Sequence, residues 1–195
     1  RVMATCAVMG QAIGTAAALA TPLGSRSLAE HFDAVATRRL QEVLLRDDAF
    51  LPAFRAEDAA DLARRAQVSA SSATDRGAPA QVTDGITREL LRGFGSWADG
   101  ATHRWESATL PAWLELAWPE PVAVREIHLT FDSGFERELT LSASDSTTRK
   151  LIRGPQPELV RDYELLLDGR VLLEVQDNLV RKRVHRLTEA VTASR

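Results

Sequence analysis

Few side chains in this 195-residue chain have the types and spacing that chemistry needs. One set is Gly10 and Gly14, within a stretch that carries no charged residue from Val2 to Ser25. Gly10 and Gly14 share one face of a helix, and without Cβ atoms they let another backbone or a ligand come close. A second set begins at Asp84-Gly85, a pair suited to turning the chain. The loop after it carries Arg88, Arg92, Phe94, Trp97, Asp99 and His103. That polar and aromatic mixture suits a sugar or a protein partner, and connections of this length tend to be functional or mobile. A third set is Asp177-Asn178 followed by Arg181, Arg183 and His185 at strand spacing. Its ordinary reading is a solvated face; its sharper reading pairs these arginines with the Asp84 loop.

Other chemistries find no support. His31, His103, His128 and His185 lie far apart in sequence and Cys6 stands alone, so no zinc spacing arises. No nucleophile–histidine–carboxylate set, paired carboxylates or phosphate-binding loop can be assembled. A structural calcium ion at Asp84 would lack acidic partners in the sequence. The net charge of −3 gives no electrostatic case for nucleic acid or an anionic membrane. With a single cysteine there is no internal disulfide to report on redox compartment, so cytoplasmic and exported locations both fit.

The elements that must position these residues change character along the chain. Residues 1–20 admit three readings: a secretion signal ending at Ala18-Leu19-Ala20, a membrane helix, or a buried helix that touches a cofactor. Thr5, Gly10, Gln11, Gly14 and Thr15 dilute the apolar run, which disfavours the first two. Thr21-Pro22-Leu23-Gly24 stops this helix. A second helix is predicted from Ser27 or His31 to Arg46, with Phe32, Val35, Ala36, Leu40, Val43 and Leu44 as its apolar stripe. Residues 57–66 read as a weak polar helical turn or linker, and a domain boundary falls there.

From Gln67 the hydrophobic period shortens to that of strands. Candidate strands are 67–71, 105–107, 113–118, 122–132, 138–144, 161–167, 171–175 and 182–191. Ile127, Leu129 and Phe131 alternate with polar neighbours, but Val122 and Val124 fall on the other parity, so a bulge or bend near Arg125 is expected. Asp168-Gly169 reads as a tight hairpin turn. Trp113 and Trp118 are assigned to core packing, and Trp97 to an exposed loop position. The fold class is therefore α+β by segment: a short N-terminal helical region followed by an antiparallel jelly-roll β-sandwich.

Two resemblances meet in this chain. Residues 67–195 resemble a discoidin-like (F5/8 type C, galactose-binding-like) domain in Val68-Ser69-Ala70-Ser71-Ser72, Val82-Thr83-Asp84-Gly85, Trp97, Trp105-Glu106-Ser107, Trp113-Leu114-Glu115-Leu116, Pro121-Val122 and residues 124–132. The block from Arg1 to Ala17 resembles the last conserved block of bacterial FAD-dependent oxidoreductases, in which a strand runs into a helix beginning near Gly-Gln-Ala. Some of those enzymes carry a discoidin-like domain at their C-terminus.

The resemblance implies three regions: 1–24 as the terminal helix of a flavin-binding domain, 25–66 as a helical connector, and 67–195 as the sandwich, lacking its last strand or strands. It implies Gly10, Gln11, Ala12 and Gly14 as flavin contacts, with Met9 and Thr15 weaker. A helix N-terminus there would stabilise negative charge developing on the reduced flavin. No GxGxxG occurs, so the chain would not bind FAD alone, would be inactive in isolation, and would need the flavin domain that precedes it in the parent enzyme. Catalytic residues would lie upstream. The competing reading is a secreted carbohydrate-binding module without catalytic activity. Neither reading calls for a metal, nucleic acid or a membrane. If the first twenty residues have lost the domain they served, their apolar sides should be poorly covered.

Overall fold

The computed structural model describes residues 2–21, 32–52, 54–88, 102–134, 144–149 and 151–195. The Pro22-Leu23-Gly24 stop, the start of the second helix, the loop residues Arg92, Phe94, Trp97 and Asp99, and nearly all of the 138–144 strand lie outside them. The chain forms two units, Arg1–Arg64 with Thr74–Glu106, and Arg65–Ala73 with Ser107–Arg195. Mixed α and β structure is present, as the change of hydrophobic period implies.

In the first unit, α1 runs unbroken over Val2–Ala20. Its only buried residues are Ala16 and Ala20, four apart and so on one face. Small side chains there permit close approach to α2, Ala34–Arg46, which α1 contacts. Ala12, Thr15 and Leu19 are half-buried and the other residues of α1 are exposed, Val2 at 76% and Met3 at 86%. Asp33 caps α2 by accepting from the Ala36 amide at 2.8 Å, and Arg46 in the last turn complements the helix dipole. Arg38 of α2 reaches Glu42 at 2.7 Å and Glu57 at 3.0 Å, tying the helix to the chain that follows it. A short 3-10 helix, Leu62–Arg65, stands where a weak helical turn is expected.

The second unit is built from antiparallel pairs. Strand β1 (Gln67–Ala70) pairs with β2 (Leu114–Ala117), β3 (Val122–Thr130) with β6 (Lys182–Ala193), and β4 (Tyr163–Leu167) with β5 (Arg170–Val175). A helical turn, α3, occupies Asp145–Thr148. Asp168 and Gly169 link β4 to β5 with φ of 48° and 78°, the left-handed pair that a two-residue hairpin turn requires. The bulge near Arg125 is present: Val124 pairs with Val191 and Glu126 with Arg186, so Arg125 faces the stretch 187–190. The chain end is tied back, since the Asp168 carboxylate accepts from the Ser194 and Arg195 amides and Asp168 N–H donates to the Arg195 carbonyl.

Residues 105–107 do not form the expected strand. The Glu106 amide donates to Gly77 and its carbonyl accepts from Thr74, so both backbone groups are spent inside the first unit. Gly77 is required at that crossing, because a Cβ there would lie 2.4 Å from the Glu106 Cβ.

Candidate functional site

Two of the buried polar residues among those described, Thr102 and His103, lie by the Asp84-Gly85 turn. Pro79 opens a 3-10 helix, Pro79–Thr83, which delivers Asp84 to the turn. The Asp84 carboxylate accepts from the Ile86 amide at 2.9 Å, an Asx turn, while Gly85 follows with φ of 85°. The Gly85 carbonyl accepts from the Ala56 amide at 2.9 Å, anchoring the turn to the segment after α2.

Opposite the turn, His103 Nδ1 lies 2.7 Å from Asp84 Oδ2, with the His103 side chain only 2% exposed. A carboxylate oxygen only accepts, so Nδ1 carries the proton in this contact. His103 holds a left-handed backbone with φ of 52°, which orders its ring toward Asp84 at a conformational cost. Next to it, the Thr102 hydroxyl lies 2.8 Å from the Arg76 carbonyl and 2.9 Å from Gln81 Oε1, and shares its single proton between them. Gln81 Nε2 donates to that same Arg76 carbonyl at 3.1 Å.

An aspartate–histidine pair is the orienting half of a general base. With the His103 side chain 2% exposed, the pair acts as a cross-link between the 84–85 turn and the 102–104 stretch. Both of its polar ends were visible in the sequence as a turn residue and a loop histidine. Thr102 and Gln81 were not, because their partnership depends on how the chain returns.

The other sequence-derived residues are placed as follows. Gly10, Gln11 and Gly14 lie on exposed positions of α1, Ala12 is half-buried, and a Cβ at either glycine would meet nothing within 4 Å. The strand-to-helix transition at Gly10 is absent: helix begins at Val2, so the amides of Gly10 and Gln11 are interior to a continuous helix instead of free at its start. Trp113 is not in a core; it is 56% exposed beside Leu110 at 86%. Its backbone, not its ring, does the anchoring, through Ser71. Trp118 is half-buried, as a packing role implies.

Arg181, Arg183 and His185 do not form a solvated face. They are half-buried, and each bonds within the second unit: Arg181 to the Phe131 carbonyl at 2.6 Å, Arg183 to Asn178 Oδ1 at 2.8 Å, and His185 to the Tyr163 hydroxyl at 2.8 Å. Asn178 is fully buried and completely bonded, donating to Val160 and Val180 carbonyls while accepting from the Val180 amide and Arg183.

One polar group escaped the sequence reading. Glu126 Oε2 meets His128 Nε2 along β3 at 2.8 Å, and Glu126 Oε1 meets Arg186 across the β3–β6 ladder at 3.1 Å. Hydrogen bonds from His128 first and Arg186 next hold the Glu126 carboxyl below its ordinary range. The two-residue spacing of Glu126 and His128 on a strand was the signal available. An open groove of about 420 Å³ lies at the bulge, with Leu172, Leu173, Leu187 and Val191 beside Arg186 and Glu189. Among the described residues no group of His, Cys, Asp and Glu side chains could hold a metal ion.

Within this α+β frame, residues 61–143 match a family model described as a domain of unknown function (DUF7402). The chain is similar to that family over β1, β2, β3 and the Asp84–His103 turn. No curated protein and no solved structure matches the chain.

Proposed function

We propose that this chain is the C-terminal part of an FAD-dependent oxidoreductase, supplying one helix to the flavin domain and an accessory discoidin-like β-sandwich of jelly-roll type. The observation that carries the reading is α1: a helix without charge, buried at Ala16 and Ala20 and exposed at Val2, Met3, Val8, Met9 and Ile13 among the described residues, whose sequence resembles the closing block of such enzymes. A buried environment supplied by the remainder of the flavin domain is the natural cover for such a surface.

The residues on α1 suit one side of a flavin and no more. Gly10 and Gly14 leave room for a flat ring to approach, and Gln11 offers an exposed carboxamide for hydrogen bonds. The helix is continuous through Gly10, so no free amides are aimed at the ring, and contact would be by van der Waals approach and Gln11. Nothing here would cradle the pyrophosphate. When bound, the flavin would supply the electron-transfer chemistry, and this chain would only bind and orient.

Expression of the complete reading frame, with flavin content read from its absorbance, tests the proposal. Gly10→Leu should remove most of the bound FAD, because the side chain fills the approach while a helix accepts leucine. Undiminished flavin content in that variant, or a complete protein without flavin, overturns the reading.

Exposure of Trp113 favours a second reading, a carbohydrate-binding module, since a wet aromatic face is what a sugar ring stacks on. In that case a glycan panel should give binding by the chain that Trp113→Ala weakens at least tenfold. An unbound panel counts against the sugar reading and leaves the sandwich a scaffold.

A further inference from the structure

The contact between Tyr163 and His185 joins two of the antiparallel pairs of the second unit, because Tyr163 belongs to β4 and His185 to β6. The hydroxyl and Nε2 are 2.8 Å apart, and the rings meet edge-on at 5.9 Å. Phe131, just beyond β3, packs on the other side of Tyr163 at 5.3 Å between centroids. His185 faces Ile127 across the ladder. Among the described residues, the charged group that acts on the ring is Arg183, two positions earlier on β6. Arg183 is kept there by Asn178, whose side chain is wholly buried and fixed by backbone partners.

We infer that Tyr163 and His185 form an acid-released clasp between the β4–β5 hairpin and the β3–β6 ladder. While the imidazole is neutral, Nε2 accepts the tyrosine proton and the clasp is closed. Protonation reverses that hydrogen bond, Nε2–H now donating to the hydroxyl, and the cost that opens the clasp is the positive charge it places in a partly desolvated position beside the guanidinium of Arg183. Burial and then Arg183 hold the imidazole below its ordinary value of 6.5, so the folded form resists protonation. The open form takes its proton near 6.5, and the clasp is therefore fully stabilising above that pH and weakens as pH falls through it. Burial raises the tyrosine in turn, so it stays a donor throughout this range.

Opening would free Tyr163 and β4–β5 locally while the β3–β6 ladder stays paired. Amide hydrogen exchange of the full chain, corrected for intrinsic rates, reads this between about pH 7.5 and about pH 5.5, the range in which histidine changes charge. Exchange in Tyr163–Val175 should accelerate by up to about tenfold per pH unit below 6.5, with the β3–β6 amides unaffected. His185→Gln keeps an acceptor for the tyrosine but does not titrate, and should abolish the acceleration. Arg183→Gln removes the repulsion, brings the folded imidazole closer to its open value and should shrink the acceleration, with its onset still near 6.5. An acceleration that persists in His185→Gln, or that strikes both pairs of strands equally, overturns the clasp. So does a wild-type profile that is flat with pH.

Discussion

Replacing Asn178 with alanine is expected to destabilise the second unit by about 2–4 kcal/mol, among the larger effects open to a single side chain. The reason is not lost volume. Its carboxamide answers four groups at once, the carbonyls of Val160 and Val180, the Val180 amide and Arg183 Nε, at a position with no solvent exposure. Alanine leaves each unpaired where water enters poorly, and the unmet groups dominate the cost. Asn178→Asp should be no remedy, because it keeps an acceptor for Arg183 but turns a carboxylate toward two carbonyls. The neighbouring Leu179 makes the comparison: it is 57% exposed, and Leu179→Ala should change stability by less than about 0.5 kcal/mol. Urea denaturation checks both, the midpoint falling for the asparagine variant with an unchanged slope. An Asn178→Ala midpoint equal to that of Leu179→Ala would refute the network's role.

Gly85→Ala should cost roughly as much in the first unit, about 2–5 kcal/mol, from two additive sources. A left-handed φ of 85° is unfavourable to alanine by about 1–2 kcal/mol. Its Cβ would then stand 2.4 Å from the Ala56 carbonyl oxygen, and overpacking of this kind adds about 1–3 kcal/mol. The clash cannot relax cheaply, since Gly85 and Ala56 are already joined by a backbone hydrogen bond of 2.9 Å. Moving the turn would also draw Asp84 from His103. The imidazole resonances of His103 should therefore shift with the loss of stability, and amide exchange should rise around residues 54–56 and 84–86. Normal stability in this variant would mean that the turn is not held as described.

These two residues show where sequence reading succeeds and stops. Periodicity and turn chemistry are local, and they placed α1, most of α2, the Asp168-Gly169 hairpin and the irregularity at Arg125, each from neighbours a few residues apart. Asp84-Gly85 was legible as a turn for the same reason. The identity of its partner was not: His103 lies 19 residues on, and nothing in the residue types distinguishes it from a surface loop histidine. Trp113 was given to the core by its size, yet size fixes only the gain on burial, not whether the chain presents a surface to bury it against.

By itself the sequence determined the change from helical to strand period, the absence of charge along α1, and the glycines at positions 10 and 14. Tertiary structure alone decided which polar groups became interior. Asn178 and Thr102 have ordinary surface character, and His103 and Arg183 read as loop and solvated-face residues. They are drawn inward because backbone groups from distant segments meet there and need partners. The physical reason is range: backbone dihedrals and side-chain alternation are set within a few residues, whereas a buried hydrogen-bond partner is set by where the chain returns.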